Sequence, residues 1–70
     1  MWPNSYILDE IARADRRIAA TRKNIANQEQ RIMCNAIKGE EDGSSWELRN
    51  TFLSMLETRE RHRTWLLRRL

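Results

Sequence analysis

Isoleucine stands at positions 11, 18, 25 and 32, a strict seven-residue interval, and each is followed by a small or apolar residue: Ala12, Ala19, Ala26 and Met33. At 3.6 residues per turn, side chains seven apart return to nearly the same stripe of an α-helix. Residues 11 to 38 therefore read as four heptads of one long helix with a packing seam, the isoleucines occupying position a. The matching d positions are Ile7, Ala14, Thr21, Gln28 and Asn35. The stripe is thus apolar toward the N-terminus and polar toward its other end.

Punctuation along the chain sets the limits of that helix and begins a second one. Asn4 and Ser5 are good N-cap types, and Asp9 and Glu10 lie near enough to favour the positive pole of the helix. Lys38 suits the last turn, and Gly39 can adopt the left-handed conformation just beyond it. Ser44 and Glu47 stand in the S-x-x-E spacing of a capping box, and Arg68 and Arg69 complement a negative helix pole. The expected elements are a helix over about 5–38, a loop over about 39–44 and a helix over about 45–70. So short a loop predicts an all-α fold in which the two helices lie antiparallel as a hairpin.

If residue 38 faces residue 45, Leu70 lies near Arg13, and residues 1 to 12 run past the end of the second helix. The row chosen to face the isoleucines is Leu48, Phe52, Met55, Arg59, His62, Leu66 and Arg69. The helix-to-helix packing set is then Ile11, Ile18, Ile25, Ile32, Leu48, Phe52, Met55 and Leu66. A second apolar row, Leu53, Leu56, Leu67 and Leu70, joins the overhanging Trp2, Tyr6, Ile7 and Leu8 as the expected oligomer interface. An apolar arc that broad fits a helix with two neighbours.

Seventy residues make one small domain, whose single core rarely supplies more than about 3–5 kcal/mol without a staple. One cysteine, Cys34, allows no intrachain disulfide, and with the lone His62 it cannot complete a four-ligand zinc site. Self-association remains, and a homodimeric four-helix bundle is its simplest form. MWPNSYILDE has no basic region followed by an apolar run of signal length, and Trp65-Leu66-Leu67 is far too short to span a bilayer. A cytoplasmic location in a reducing compartment is expected.

The net charge of +3 conceals a separation. Residues 13–23 and 59–70 each carry +4, whereas Glu40, Glu41, Asp42 and Glu47 carry −4 around the loop. Clustered arginines release counterions on meeting a polyanion, so Arg13, Arg16, Arg17, Arg61, Arg63, Arg68 and Arg69 are candidate nucleic-acid contacts. No recognised nucleic-acid motif accompanies them, and ordinary solvation of helix surfaces or docking between chains accounts for the same pattern.

Catalytic signatures are lacking. Glu57 and Glu60 sit one turn apart but within ETRERHRT, where each has arginines three or four residues away, so ion pairing is their expected role. Arg59 precedes His62 by three residues, so the Glu-x-x-His motif of bundle di-metal sites is absent, as are a Gly-rich phosphate loop and a nucleophile motif. Cys34 reads as a small hydrophobe, His62 as a hydrogen-bonded seam residue, and Trp2, Trp46 and Trp65 as core or interface anchors. The expectation is a non-enzymatic interaction or adaptor module without cofactor or metal, with a small basic nucleic-acid-binding regulator as the alternative.

The isoleucine repeat, a glycine-containing turn at Gly39 and Gly43, and the closing run with Phe52, Leu53, Leu56, His62, Arg63, Leu66, Leu67 and Leu70 together resemble a family of small alphaproteobacterial helical-hairpin proteins of uncharacterised activity. The resemblance covers residues from about 11 to 70 and implies a helical hairpin. It brings no catalytic residue. The longer acidic turn GEEDGSS departs from the family pattern.

Overall fold

In the computed structural model, which describes residues 3–40 and 43–70, the chain forms two helices: α1, Asn4–Ile37, and α2, Gly43–Leu67. They pack side by side and antiparallel as a hairpin whose Cα envelope measures 55 × 14 × 12 Å. No strand occurs among the described residues. Trp2 and the loop carboxylates Glu41 and Asp42 lie outside them.

Both helix starts differ from the sequence expectation. Pro3 is the N-cap residue of α1, with extended backbone (φ −60°, ψ 141°), and no side chain caps the helix. Its carbonyl accepts from the Ile7 amide at 3.2 Å, so Asn4 is already helical. Proline's fixed φ suits that boundary, and its lack of an N–H costs nothing there. α2 begins at Gly43, one residue ahead of Ser44, so Ser44 and Glu47 both lie within the helix.

The end of α1 is a Schellman turn. Glu40 N–H donates to the Asn35 carbonyl at 2.8 Å and Gly39 N–H to the Ala36 carbonyl at 3.1 Å, while Gly39 itself has φ +75°. These two bonds satisfy carbonyls that the helix would otherwise leave open. A Cβ at Gly39 would meet nothing within 4 Å, so only the backbone conformation resists substitution. Gly39→Ala is therefore expected to destabilise the hairpin by about 1–2 kcal/mol, with Gly39→Asn costing less. Equal thermal melts for wild type and Gly39→Ala would rule this out. α2 closes at Leu67, three residues earlier than expected, through tighter bonds from Arg69 N–H to Leu66 O and from Leu70 N–H to Leu67 O.

The isoleucine stripe is the buried face of α1. Ile7, Ile11, Ala14, Ile18, Thr21, Ile25 and Gln28 are all buried, an unbroken run of alternating d and a positions. Ile32 and Asn35 are half-buried as the seam opens toward the turn. On α2 the buried and half-buried residues are Ser45, Arg49, Phe52, Met55, Leu56, Arg59, Arg63 and Leu66. All but Met55 fall on two series with seven-residue steps: 45, 52, 59 and 66 at d, and 49, 56 and 63 at a.

That second series corrects the facing row. Phe52, Arg59 and Leu66 belong to it, but Leu48 and His62 are exposed and Met55 stands on its edge. Arg49, Leu56 and Arg63 take the places expected for Leu48, Met55 and His62. Arg49 lies 4.0 Å from Glu29 and Arg63 hydrogen-bonds Asp15, so each guanidinium reaches across to α1.

The register differs too. The helix ends meeting at the turn are Ile37 and Gly43 rather than 38 and 45, which advances α2 by about three residues along α1. Leu66 thereby reaches Ile7, Ile11 and Ala14 and forms with them a buried apolar cluster. Ile7, expected to await a partner, is covered within its own hairpin at 3% exposure. Leu56 likewise turns partly inward and leaves the outer row. Tyr6, Leu8, Leu53, Leu67 and Leu70 remain exposed.

Candidate functional site

The seam of a two-helix hairpin divides its surface into two broad faces, one along the e positions of both helices and one along the g positions. Their contents are different. On the e face three ion pairs run between the helices: Asp15 with Arg63, Arg22 with Glu60 at 3.1 Å, and Glu29 with Arg49. Apolar side chains stand at either end of this charged belt. Met33 and Trp46 line one cleft with Glu29, Ile32 and Arg49 near the turn, Leu53 follows on α2, and Leu8 and Leu67 occupy e positions near the open end.

The g face is arginine-bearing. Along α1 it presents Glu10, Arg13, Arg17 and Arg31, and along α2 Leu48, Met55, His62 and Arg69. Among the described residues, Glu10 pairs with Arg13 at 3.0 Å and no carboxylate pairs with Arg17, Arg31 or Arg69. Toward the open end, Tyr6, Ile7, Glu10, His62, Trp65, Leu66 and Arg69 line a shallow apolar cleft of about 240 Å³. His62 and Trp65 stack with ring centroids 6.0 Å apart and an interplanar angle of 14°. Arg69 places its guanidinium 3.7 Å from the Trp65 ring centroid, a cation–π contact. These three residues, one or two turns apart, form a ladder along the outside of α2.

Between the faces lies a polar layer. Thr21, 1% exposed, donates to the Arg17 carbonyl at 2.8 Å and accepts from the Arg59 guanidinium at 2.6 Å. The same Arg59 nitrogen also donates to the Arg17 carbonyl at 3.2 Å. Gln28, one heptad further along, buries its Oε1 without a hydrogen-bond donor from the described chain.

Residues that could have carried chemistry are dispersed or engaged. Glu57 pairs with Arg61 and Glu60 with Arg22, so the two carboxylates point to different partners. Cys34 is exposed near the turn, whereas His62 is on the g face near the open end. Among the described residues no three His, Cys, Asp or Glu side chains converge to hold a metal ion, and no helix is long and apolar enough to cross a membrane.

The arginines proposed for nucleic acid are not gathered into one patch. Arg13, Arg61 and Arg63 each have a carboxylate partner within the chain. Arg16 and Arg68 lie at f positions on the outer sides of the two helices, and Arg17 and Arg69 lie on the g face. Met33 was not among the expected interface residues, and Trp46 was read as a core or interface anchor without being assigned to a face. The seven-residue series through Ser45, Phe52, Arg59 and Leu66 would have put Trp46 at an e position. No protein-family model, curated protein or solved structure matches this chain.

Proposed function

We propose that this chain is a non-enzymatic helical interaction module that self-associates, with a homodimeric four-helix bundle as its preferred form. One observation carries the reading. The side of α2 turned to α1 holds three arginines, and much of its apolar surface is displaced to the flanks: Trp46, Leu48, Leu53, Trp65 and Leu67 are each between 36% and 52% exposed. Scattered exposed leucines are normal on a soluble protein. Ten exposed large hydrophobic side chains among the described residues of so short a chain are more than a monomer is expected to leave in water.

Nucleic-acid binding through the arginine-rich open end has weaker support, because Arg13, Arg61 and Arg63 are engaged by carboxylates within the hairpin. Sedimentation equilibrium at micromolar concentration tests the leading reading. The expected mass is twice the 8.4 kDa of one chain or a higher multiple. A folded species that stays at one chain mass across the concentration range would refute it.

A further inference from the structure

We infer that the second copy of the chain docks on the e face, the one bearing the three interhelical ion pairs, and that the arginine-bearing g face stays outward. This inference rests on the self-association reading and adds the surface through which it occurs.

Three observations separate the faces. The first is apolar content. Leu8, Met33, Trp46, Leu53 and Leu67 are all exposed on the e side at positions e or b, whereas Tyr6, Leu48 and Trp65 are the exposed large apolar residues on the g side. The second is charge. The e-face arginines are matched by Asp15, Glu29 and Glu60 within the chain, so two such faces meet without net repulsion. Each g face sets Arg13, Arg17, Arg31 and Arg69 against the single carboxylate of Glu10, so two such faces would meet with like net charge, which opposes docking.

The third is shape. Between Leu8 and Met33 the outer edge of the e face is formed by Ala12, Ala19 and Ala26, small side chains that let another helix approach closely. The hairpin is 55 Å long and 14 Å across at the level of Cα atoms, enough for the ~800 Å² per partner typical of stable complexes. The face is also self-complementary under a two-fold axis running along the hairpin. That operation lays α1 of one copy over α2 of the other and brings the Leu8 end of α1 to the Leu67 end of α2. It also sets Met33 near Trp46 and Arg22 near Glu60. Apolar groups meet apolar groups, and each charge meets its opposite, as an isologous contact requires.

Adjacent residues provide the test. Ala19→Glu/Ala26→Glu places two carboxylates on the e side, and Ala20→Glu/Asn27→Glu places the same two a single residue later, at c positions toward the g side. All four residues are exposed, glutamate is a good helix former, and the two variants have the same net charge. Sedimentation and circular dichroism are read together. The e-side variant is expected to keep its helicity and to weaken self-association at least tenfold, while the c-side variant stays within about threefold of wild type.

Should the e-side variant lose its helicity, Trp46→Lys against Leu48→Lys repeats the comparison on α2. If both members of the readable pair associate like wild type, or if the g-side member alone dissociates, the assignment of the face is overturned and self-association itself stands. A wild-type chain that is monomeric overturns both readings.

Discussion

Replacing Ile25 with alanine is expected to lower the stability of the hairpin by about 2–5 kcal/mol, the range for truncating a buried isoleucine in a packed interior. Ile25 is 7% exposed at the middle of the α1 stripe, between the polar groups of Thr21 and Gln28. For a chain of this size the loss is comparable to the whole folding free energy. Asn24→Ala, at the exposed position beside it, is expected to shift stability by no more than about 0.5 kcal/mol. Thermal melts followed by circular dichroism at two protein concentrations check both statements. The midpoint should rise with concentration if the same stripe supports an assembly. Matching melts for the two variants would mean that the buried face has been misassigned.

The second large effect is expected at Thr21. Thr21→Val keeps the shape of the side chain but removes the oxygen that accepts from Arg59. Hydrogen bonds to charged groups contribute about 1.5–3 kcal/mol, and the guanidinium would be left with the Arg17 carbonyl alone at that nitrogen. A destabilisation of that order follows. Arg59→Leu should cost less, because the Thr21 hydroxyl still donates to the Arg17 carbonyl. In the double variant the two losses should not add, with a coupling of about 0.5–3 kcal/mol by chemical denaturation. Strict additivity would show that Arg59 and Thr21 do not act together.

Much of α1 was legible because its signal is redundant. Isoleucine at every a position and a d series beginning with Ile7 and Ala14 leave only one face to bury. The turn was legible for a similar reason, since Gly39 follows a helical pattern and few other residues take its conformation at low cost. α2 was harder to read because two series compete on it. Leu48, Met55 and Leu66 look like a core row, and arginine is ordinarily assigned to solvent. The partners that Arg63 and Arg49 find, Asp15 and Glu29, stand on the opposite helix. No inspection of α2 alone reveals those partners.

A small error in one boundary then propagated to the candidate interface. Ser44 reads as the better cap, yet α2 begins at Gly43, and the resulting advance along α1 brings Leu66 onto Ile7. Ile7 thus left the expected overhang, while Tyr6 and Leu8 on either side of it stayed exposed. The e face escaped notice for a related reason: Met33 and Trp46 become neighbours only once the register is known.

Ile7, Ile11, Ala14 and Leu66 cluster at the open end, with 58 residues between Ile7 and Leu66. The seam residues nearest the turn, Ile32, Asn35, Arg49 and Phe52, are only half-buried, so a chain zipping outward from its turn gains little apolar burial at first for the backbone entropy spent. The reward comes last, when the termini meet. Loop-closure entropy grows only logarithmically, by about 0.6 kcal/mol per doubling of length, so lengthening the turn by several residues should leave folding nearly untouched. Clipping a few residues at either terminus reaches the best-packed contacts at once. Chains usually tolerate trimming at exposed ends of elements, yet the open end of this hairpin is where it can least be shortened.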